Sequence, residues 1–510
     1  MKNSGQKRPA EGLSPGLRLY MFVTAAVTGA AIMIVEILGA KMLAPYFGTS
    51  HFVWTAQIAV TLVALACGYA VGGLLADRSP RPALVYGAIM LAAGWLALAV
   101  IACESVAYWC LRFRLGVGSL MAATALFFVP LALLAMVGPF FVRVIANTVT
   151  HVGSVVGKLT ALGTVGSVIG TILIGYVLIP FLPNSTTMGL TAAVLVVVGA
   201  VFFVVWGHRT RAPGVAGCTV TLVMAGLSAL QQPAIGTVGM KEVLRANSNF
   251  GLLQVIETDS GARRWFLNDL LTQNTYAPET GQSMSLFTYL LHGLAAAYTP
   301  GMTNALCIGL GVGIVPMQFA REGVRVDVVE INPAVIPIAT RFFAFDPTKV
   351  SLHIGDGRYY FAVCAARYDT IILDAFLGES PPSHLMTREA FEAMRRCLNP
   401  GGTLVMNTFV DLSPGRDFLG ASILKTLRQV FKSVAVHDAL NGNVFYVASD
   451  QDPLVPHRVP LLDHVPEQLR YAVDMAFRNR VFVDEQRGIV LTDDYNPADF
   501  FDARNREALR

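Results

Sequence analysis

The sequence predicts a multispan α-helical membrane domain followed by an α/β domain built on a doubly wound parallel sheet. Three observations carry this. Apolar residues make up 54% of the 510-residue chain against 14% charged, and before about residue 235 they gather in runs near the roughly 20 residues that span a hydrocarbon core. From residue 305 the cadence changes to short apolar strands alternating with helical segments. The first of those strands runs into a glycine-rich turn, and the second ends on an acid. The expected division is an integral membrane domain over 1–235 and a cofactor-binding catalytic domain over 240–510.

Six spans are expected at about 19–38, 56–75, 84–102, 119–141, 160–183 and 187–206, with "GVAGCTVTLVMAGLSAL" near 214–230 as a weaker seventh. The first follows Lys2, Lys7, Arg8 and Arg18. It is too long for a signal peptide, has no evident cleavage site and is followed by further spans, so it is expected to stay as an anchor. Basic residues in the N-terminal tail, at Arg78 and Arg81, at Arg143 and Lys158, and at Arg209 and Arg211 mark alternate loops and place the N-terminus in the cytoplasm; Arg112 and Arg114 are discordant. Six spans leave the second domain inside the plasma (inner) membrane and seven leave it outside; the cytoplasmic supply of nucleotide-like cofactors favours inside. Glu36, deep in the first span, is either a functional group or a residue paired with Lys41 or within the bundle. The small-residue run "GTVGSVIGTILIG" reads as close helix packing. The seven cysteines contain no CxxC pair, so neither a disulfide framework nor a metal site is expected. A net charge of +4, shared with membrane-flanking loops, is no argument for nucleic acid.

In the second half, strands are expected at 305–308, 324–329, 350–354, 370–373 and 403–406. Ligands of such sheets bind beyond the carboxyl ends of the strands. Gly309, Gly311 and Gly313 let the backbone turn tightly and approach a ligand, and Glu330, 21 residues after Gly309, is placed to accept both ribose hydroxyls of an adenosine-containing cofactor. A nicotinamide dinucleotide site explains those features equally well, so the next two strand ends matter. "IGDGRYY" puts Asp356 and Gly357 at the same edge, within reach of an adenine amino group, and "YDTIILDAF" ends a strand on Asp374. Clustered carboxylates repel one another and burial raises their pKa values, so their coincidence points to a ligand rather than to stability. A sulfonium cofactor suits them: its sulfur is a good leaving group, and the protein has mainly to orient an amine and remove its proton.

"FLNDLLTQNTY", "SLFTYLLHGLA", "GLGVG", "VVEINP", "IGDGRYY", "YDTIILDAF" and "LTDDYNPADF" follow one another in an order that resembles the polyamine aminopropyltransferases, spermidine synthase among them. The catalytic-domain resemblance covers 249–407, and the whole chain is similar to membrane-fused spermidine-synthase-like proteins. It implies a Rossmann-like methyltransferase/spermidine-synthase-type domain, decarboxylated S-adenosylmethionine as cofactor, a diamine acceptor, methylthioadenosine as product, and a homodimer. Residue by residue it implies Glu330 on the ribose, Asp356 and Gly357 at the adenine, Asp374 as the catalytic acid, Tyr289 as an active-site tyrosine and Gln273 as a substrate-binding glutamine. The sequence departs from the family at Val312 and Leu377, where acids are usual, and at Leu290, where a glutamine is usual. The adenosine half is thus kept while the half that recognises cationic amines is depleted.

Glu379 and His384 in "GESPPSHLMT" offer partial compensation, Glu379 as a substrate-binding acid; the alternative is a turn stiffened by Pro381 and Pro382. Tyr359 and Tyr360 are expected to pack. Three readings stand: aminopropyl transfer to an amine; methyl transfer or other sulfonium cleavage with intact S-adenosylmethionine; and a transporter or sensor with a non-catalytic cofactor-binding module.

Overall fold

The apolar runs of the first half become helices: α1 (Pro15–Phe47), α2 (Phe52–Arg78), α3 (Pro82–Cys110), α4 (Leu115–Ile145), α5 (Val152–Leu178) and α6 (Asn184–Val205), six among the described residues, each long and apolar enough to cross a membrane. The structure is a computed structural model that describes residues 13–48, 51–146, 152–207, 223, 239–376, 382–460 and 462–501. The chain divides into two units, one of residues 1–44 with 52–233, the other of 45–51 with 234–510. Every helix begins before its expected span, and the first four also end beyond it, because hydropathy marks the most apolar part while the hydrogen-bond ladder continues through the flanks. The seventh expected span lies outside the described residues, apart from Val223.

Within the first unit, the close approach of two helices rests on small residues. A Cβ on Gly166 of α5 would lie 1.9 Å from the carbonyl oxygen of Ala26 in α1, and one on Gly170 would lie 2.5 Å from that of Ala30. Ser167 Oγ donates to the Gly29 carbonyl at 3.1 Å. The small-residue run is therefore the face that α5 presents to α1. A Gly166→Val protein is expected to lose thermal stability in detergent, by an amount on the scale of the about 1–3 kcal/mol that overpacking costs. A melting curve superimposable on the wild type would show that the two helices can part without penalty.

The second unit opens with a five-stranded antiparallel sheet in the order β1-β2-β3-β4-β5. Its strands are β1 (Met240–Ser248), β2 (Gly251–Thr258), β3 (Arg264–Asn268), β4 (Leu271–Ala277) and β5 (Gln282–Ser283). The β3–β4 link is a two-residue hairpin, with Asp269 and Leu270 at φ of 47° and 66°. After helix α7 (Leu286–Tyr298), the main sheet uses β6 (Asn304–Ile308), β7 (Arg325–Glu330), β8 (Ser351–Ile354), β9 (Tyr368–Leu373), β10 (Leu398–Phe409), β11 (Ser433–Asp438) and β12 (Asn443–Ser449). Helices α8 (Ile314–Arg321), α9 (Val335–Phe342), α10 (Gly357–Val363), α11 (Arg388–Arg396), α12 (Phe418–Val430) and α13 (Glu467–Arg478) complete the unit.

The seven strands lie in the order β11-β12-β10-β9-β6-β7-β8. Alternate strand residues feed two cores: Cys307, Val328, Ile372 and Val405 pack with α7, α8, α9 and α13, whereas Leu306, Val329, Ile371 and Leu404 pack with α11 and α12. Burial on both faces is why these strands read as continuous apolar runs. The five expected strands, β6 to β10, pair in parallel, and the sheet becomes mixed through a strand the sequence reading did not include: β12 runs antiparallel to both β10 and β11. The physical reason is the short link 439–442, where Leu440 and Gly442 take φ of 58° and 91°; so tight a hairpin allows only antiparallel pairing.

Candidate active site

Strand order reverses between β6 and β9, since the chain steps outward from β6 to β8 and then returns to the other side of β6. A crevice at such a switch point is where open α/β sheets bind ligands. Gly309 leaves β6 with φ of 94°, and a Cβ there would stand 2.3 Å from the carbonyl oxygen of Asp374. Only glycine meets both demands, and its absence of a side chain lets the ends of β6 and β9 close on each other. Asp374 follows β9, and Asn407 of the neighbouring β10 donates Nδ2 to Asp374 Oδ1 at 2.9 Å. Burial pushes the Asp374 carboxyl up to about 6, the Asn407 bond opposing the rise.

Glu330 closes β7 and is only 8% exposed. Its Oε2 accepts the Leu310 N–H at 2.9 Å and its Oε1 accepts the Asn332 N–H at 2.8 Å. Burial raises this carboxyl above the usual range, and those backbone bonds work against the rise. With the Ile331 N–H also directed at this carboxylate, its two oxygens keep lone-pair capacity for a ligand hydroxyl. Asp356, after β8, caps helix α10: its Oδ1 accepts the N–H groups of Arg358 and Tyr359 at 2.7 and 3.2 Å. Its Oδ2 lies 3.0 Å from His384 Nε2.

One cavity of about 410 Å³ takes in Gly309, Gly311, Glu330, Asp356, Gly357, Asp374, Gln273 and His384, a volume in the range of small-molecule sites. The antiparallel sheet supplies its opposite wall through Phe266, Leu271 and Gln273. Val312 also lines it, 1% exposed, and so presents an apolar surface where the resemblance leads one to look for an acid. Gly313 is not among the residues lining the cavity: it takes φ of 85° and turns the chain into α8 where a Cβ would stand 2.4 Å from the Phe345 ring.

Tyr289 is placed elsewhere too. Its ring is buried in the core and its hydroxyl donates to the Ser283 carbonyl at 2.8 Å, while Phe287 and Thr288 of the same helix reach the cavity. Glu379 and Leu377 lie outside the described residues. Of the two tyrosines expected to pack, Tyr360 bonds to the Tyr368 hydroxyl at 2.6 Å, whereas Tyr359 is exposed.

Sequence reasoning missed Asn407 and Asn268, both cavity-lining and both nine-tenths buried with an unpartnered Oδ1. The signal was present in "TLVMN", an apolar strand that stops on a polar residue as "TIILD" does. It also left open where "LTDDYNPADF" goes. Arg358 donates to the His384 carbonyl and to Thr387 Oγ1, and pairs with Asp493. Thr387 Oγ1 donates to Asp493 at 2.7 Å, and Asn496 Nδ2 donates to the Ser383 carbonyl at 2.7 Å. The last described stretch thus straps the segment that carries His384 to Asp356.

Parallel strands ordered about a switch point, with a glycine turn and acids at successive strand ends, define a domain of the methyltransferase-like α/β class. The spermine/spermidine synthase domain family matches residues 285–447, which lie within the second unit. A polyamine aminopropyltransferase of Vibrio vulnificus (strain CMCP6) is 42% identical over 130 residues, 24% of this chain and 44% of that protein. Putrescine N-methyltransferase 2 of Nicotiana tabacum is 30% identical over 154 residues, 29% of this chain and 43% of that protein. The solved structure of a probable spermidine synthase from Corynebacterium glutamicum ATCC 13032 is 22% identical, covering 43% of this chain and 81% of that chain with a TM-score of 0.35. The chain spans less than half the length of the curated relatives it matches here.

Proposed function

We propose that the protein is a membrane-bound transferase that moves an aminopropyl group from decarboxylated S-adenosylmethionine to an amine acceptor, with its N-terminus and its second unit on the cytoplasmic side. The observation that carries this is the gathering of Glu330, Asp356 and Asp374 around the β6 glycine turn in one cavity. The residues fit the group: Glu330 offers lone pairs to ribose hydroxyls, Asp356 and Gly357 border the adenine side, and Gly309 and Gly311 keep the floor low. The bound cofactor supplies an activated carbon, whose bond to sulfur breaks, leaving a neutral thioether, as the amine nitrogen bonds to that carbon. Asp374 holds the attacking amine and takes the proton released, and the buried walls exclude water from the transfer.

Methyl transfer from intact S-adenosylmethionine is the second reading, and the apolar surface of Val312 favours it. Incubating the purified protein with each cofactor form and a panel of amines, and resolving the products by mass spectrometry, separates the two. Methylthioadenosine with an amine heavier by an aminopropyl unit is expected; S-adenosylhomocysteine would replace the first reading with the second. Cofactor binding with neither product would leave a binding module. For the nucleoside half, Glu330→Gln should weaken methylthioadenosine binding roughly 10- to 100-fold, the scale of a lost charge-assisted hydrogen bond. Unchanged affinity by calorimetry would remove Glu330 from the ribose.

A further inference from the structure

Asn407 sits at the cavity end of β10 with its side chain 5% exposed. Its orientation follows from chemistry: Nδ2 is the only atom of the amide that can donate to Asp374 Oδ1, and the reverse arrangement would set two acceptors against each other. Oδ1 is thereby held away from the carboxylate, buried and without a hydrogen-bond partner. The backbone of β10 pairs with β9 and β12 without using this oxygen. A buried carbonyl oxygen left without a donor is costly, and in a residue that lines a ligand cavity it can be satisfied by the ligand.

We propose, resting on the transferase reading, that Asn407 binds the amine acceptor: its Nδ2 fixes Asp374 by one oxygen, and its Oδ1 accepts an N–H of the same amine that Asp374 engages. A neutral amine presents two N–H groups and an ammonium three, so one nitrogen can meet both residues. The pair supplies one charge and one carbonyl dipole. A dipole orients the nucleophile without stabilising its unreactive protonated form as strongly as a second carboxylate does. This arrangement selects an acceptor by a single nitrogen near the reacting carbon, with the rest of the molecule against apolar walls such as Val312.

The test uses the full-length protein in detergent, loaded with methylthioadenosine and titrated with putrescine and with propylamine in a calorimeter. Wild type is expected to bind an amine, and Asn407→Ala to bind it roughly tenfold more weakly or worse with nucleoside affinity unchanged. The isosteric Asn407→Asp keeps the acceptor oxygens and should retain amine affinity while losing turnover, because two facing carboxyls share a proton that Asp374 must give up to act. A purely structural role would not split affinity from turnover in this way. Amine affinity unchanged in Asn407→Ala, or a parallel loss of nucleoside affinity in both variants, overturns the proposal. Wild type that takes up nucleoside but neither amine overturns it while leaving the adenosine pocket intact. Failure to bind nucleoside removes the transferase reading and this proposal with it.

Discussion

An Asp374→Asn protein is expected to bind methylthioadenosine as the wild type does and to lose roughly 10²- to 10⁴-fold in kcat/KM for the amine, the range that a positioned general base contributes. The substitution keeps the shape of the side chain and an acceptor oxygen but removes the charge and the proton-accepting capacity. The pH dependence follows from burial, which pushes the wild-type carboxyl up to about 6. A raised pKa means that the reactive carboxylate is lost as pH falls through about 6, so kcat/KM should fall there and the Asn variant should lack that limb. A bound cation favours the charged form, so the limb in kcat should lie at lower pH.

The same shift has an opposite effect on folding. The folded chain holds this proton more tightly than the unfolded chain, so the contribution to stability is present below the ordinary carboxylate range and is lost as pH rises through about 6. Asp374→Asn should therefore melt higher than the wild type at pH 8 while turning over far more slowly. Full turnover in the variant would take Asp374 out of the chemistry.

Gly309→Ala should be more damaging than its size suggests, abolishing turnover and nucleoside binding together. Position 309 has φ of 94°, and the new methyl would stand 2.3 Å from the Asp374 carbonyl oxygen and 3.3 Å from the Ala375 Cα. Held in place, the backbone would carry about 1–3 kcal/mol of strain; relaxed, it would push the end of β9 away from β6 and Asp374 out of line. The two variants are distinguishable by calorimetry with methylthioadenosine, since Asp374→Asn removes one function and Gly309→Ala two. Wild-type nucleoside affinity in Gly309→Ala would mean that the two strand ends need not approach so closely.

Much of this was legible from composition and strand ends. The cores on both faces of the main sheet give β6, β7 and β9 apolar ends, and Glu330 and Asp374 stand out because each closes such a stretch, whereas Asp356 follows the more exposed β8 and is marked by the glycines on either side of it. What was not legible depended on distant geometry. Tyr289 and Thr288 are neighbours on α7, and one residue on a helix is a rotation of about 100°; the text of the sequence does not say which of the two faces the cavity. The direction of β12 is set by a short hairpin that carries little periodic signal. His384 reads as a turn residue and meets Asp356 only because the chain between them folds around α10 and β9.

The strap formed by the final described stretch has a bearing on how the protein is made. Asp493 meets Arg358 across 135 positions and Thr387 across 106. Domains form progressively as a chain leaves the ribosome, so the sheet and its acids exist before the residues that fasten the His384 wall have been synthesised. A chain released before residue 493 would possess the acids and the turn, yet lack the fastening that holds the wall beside them.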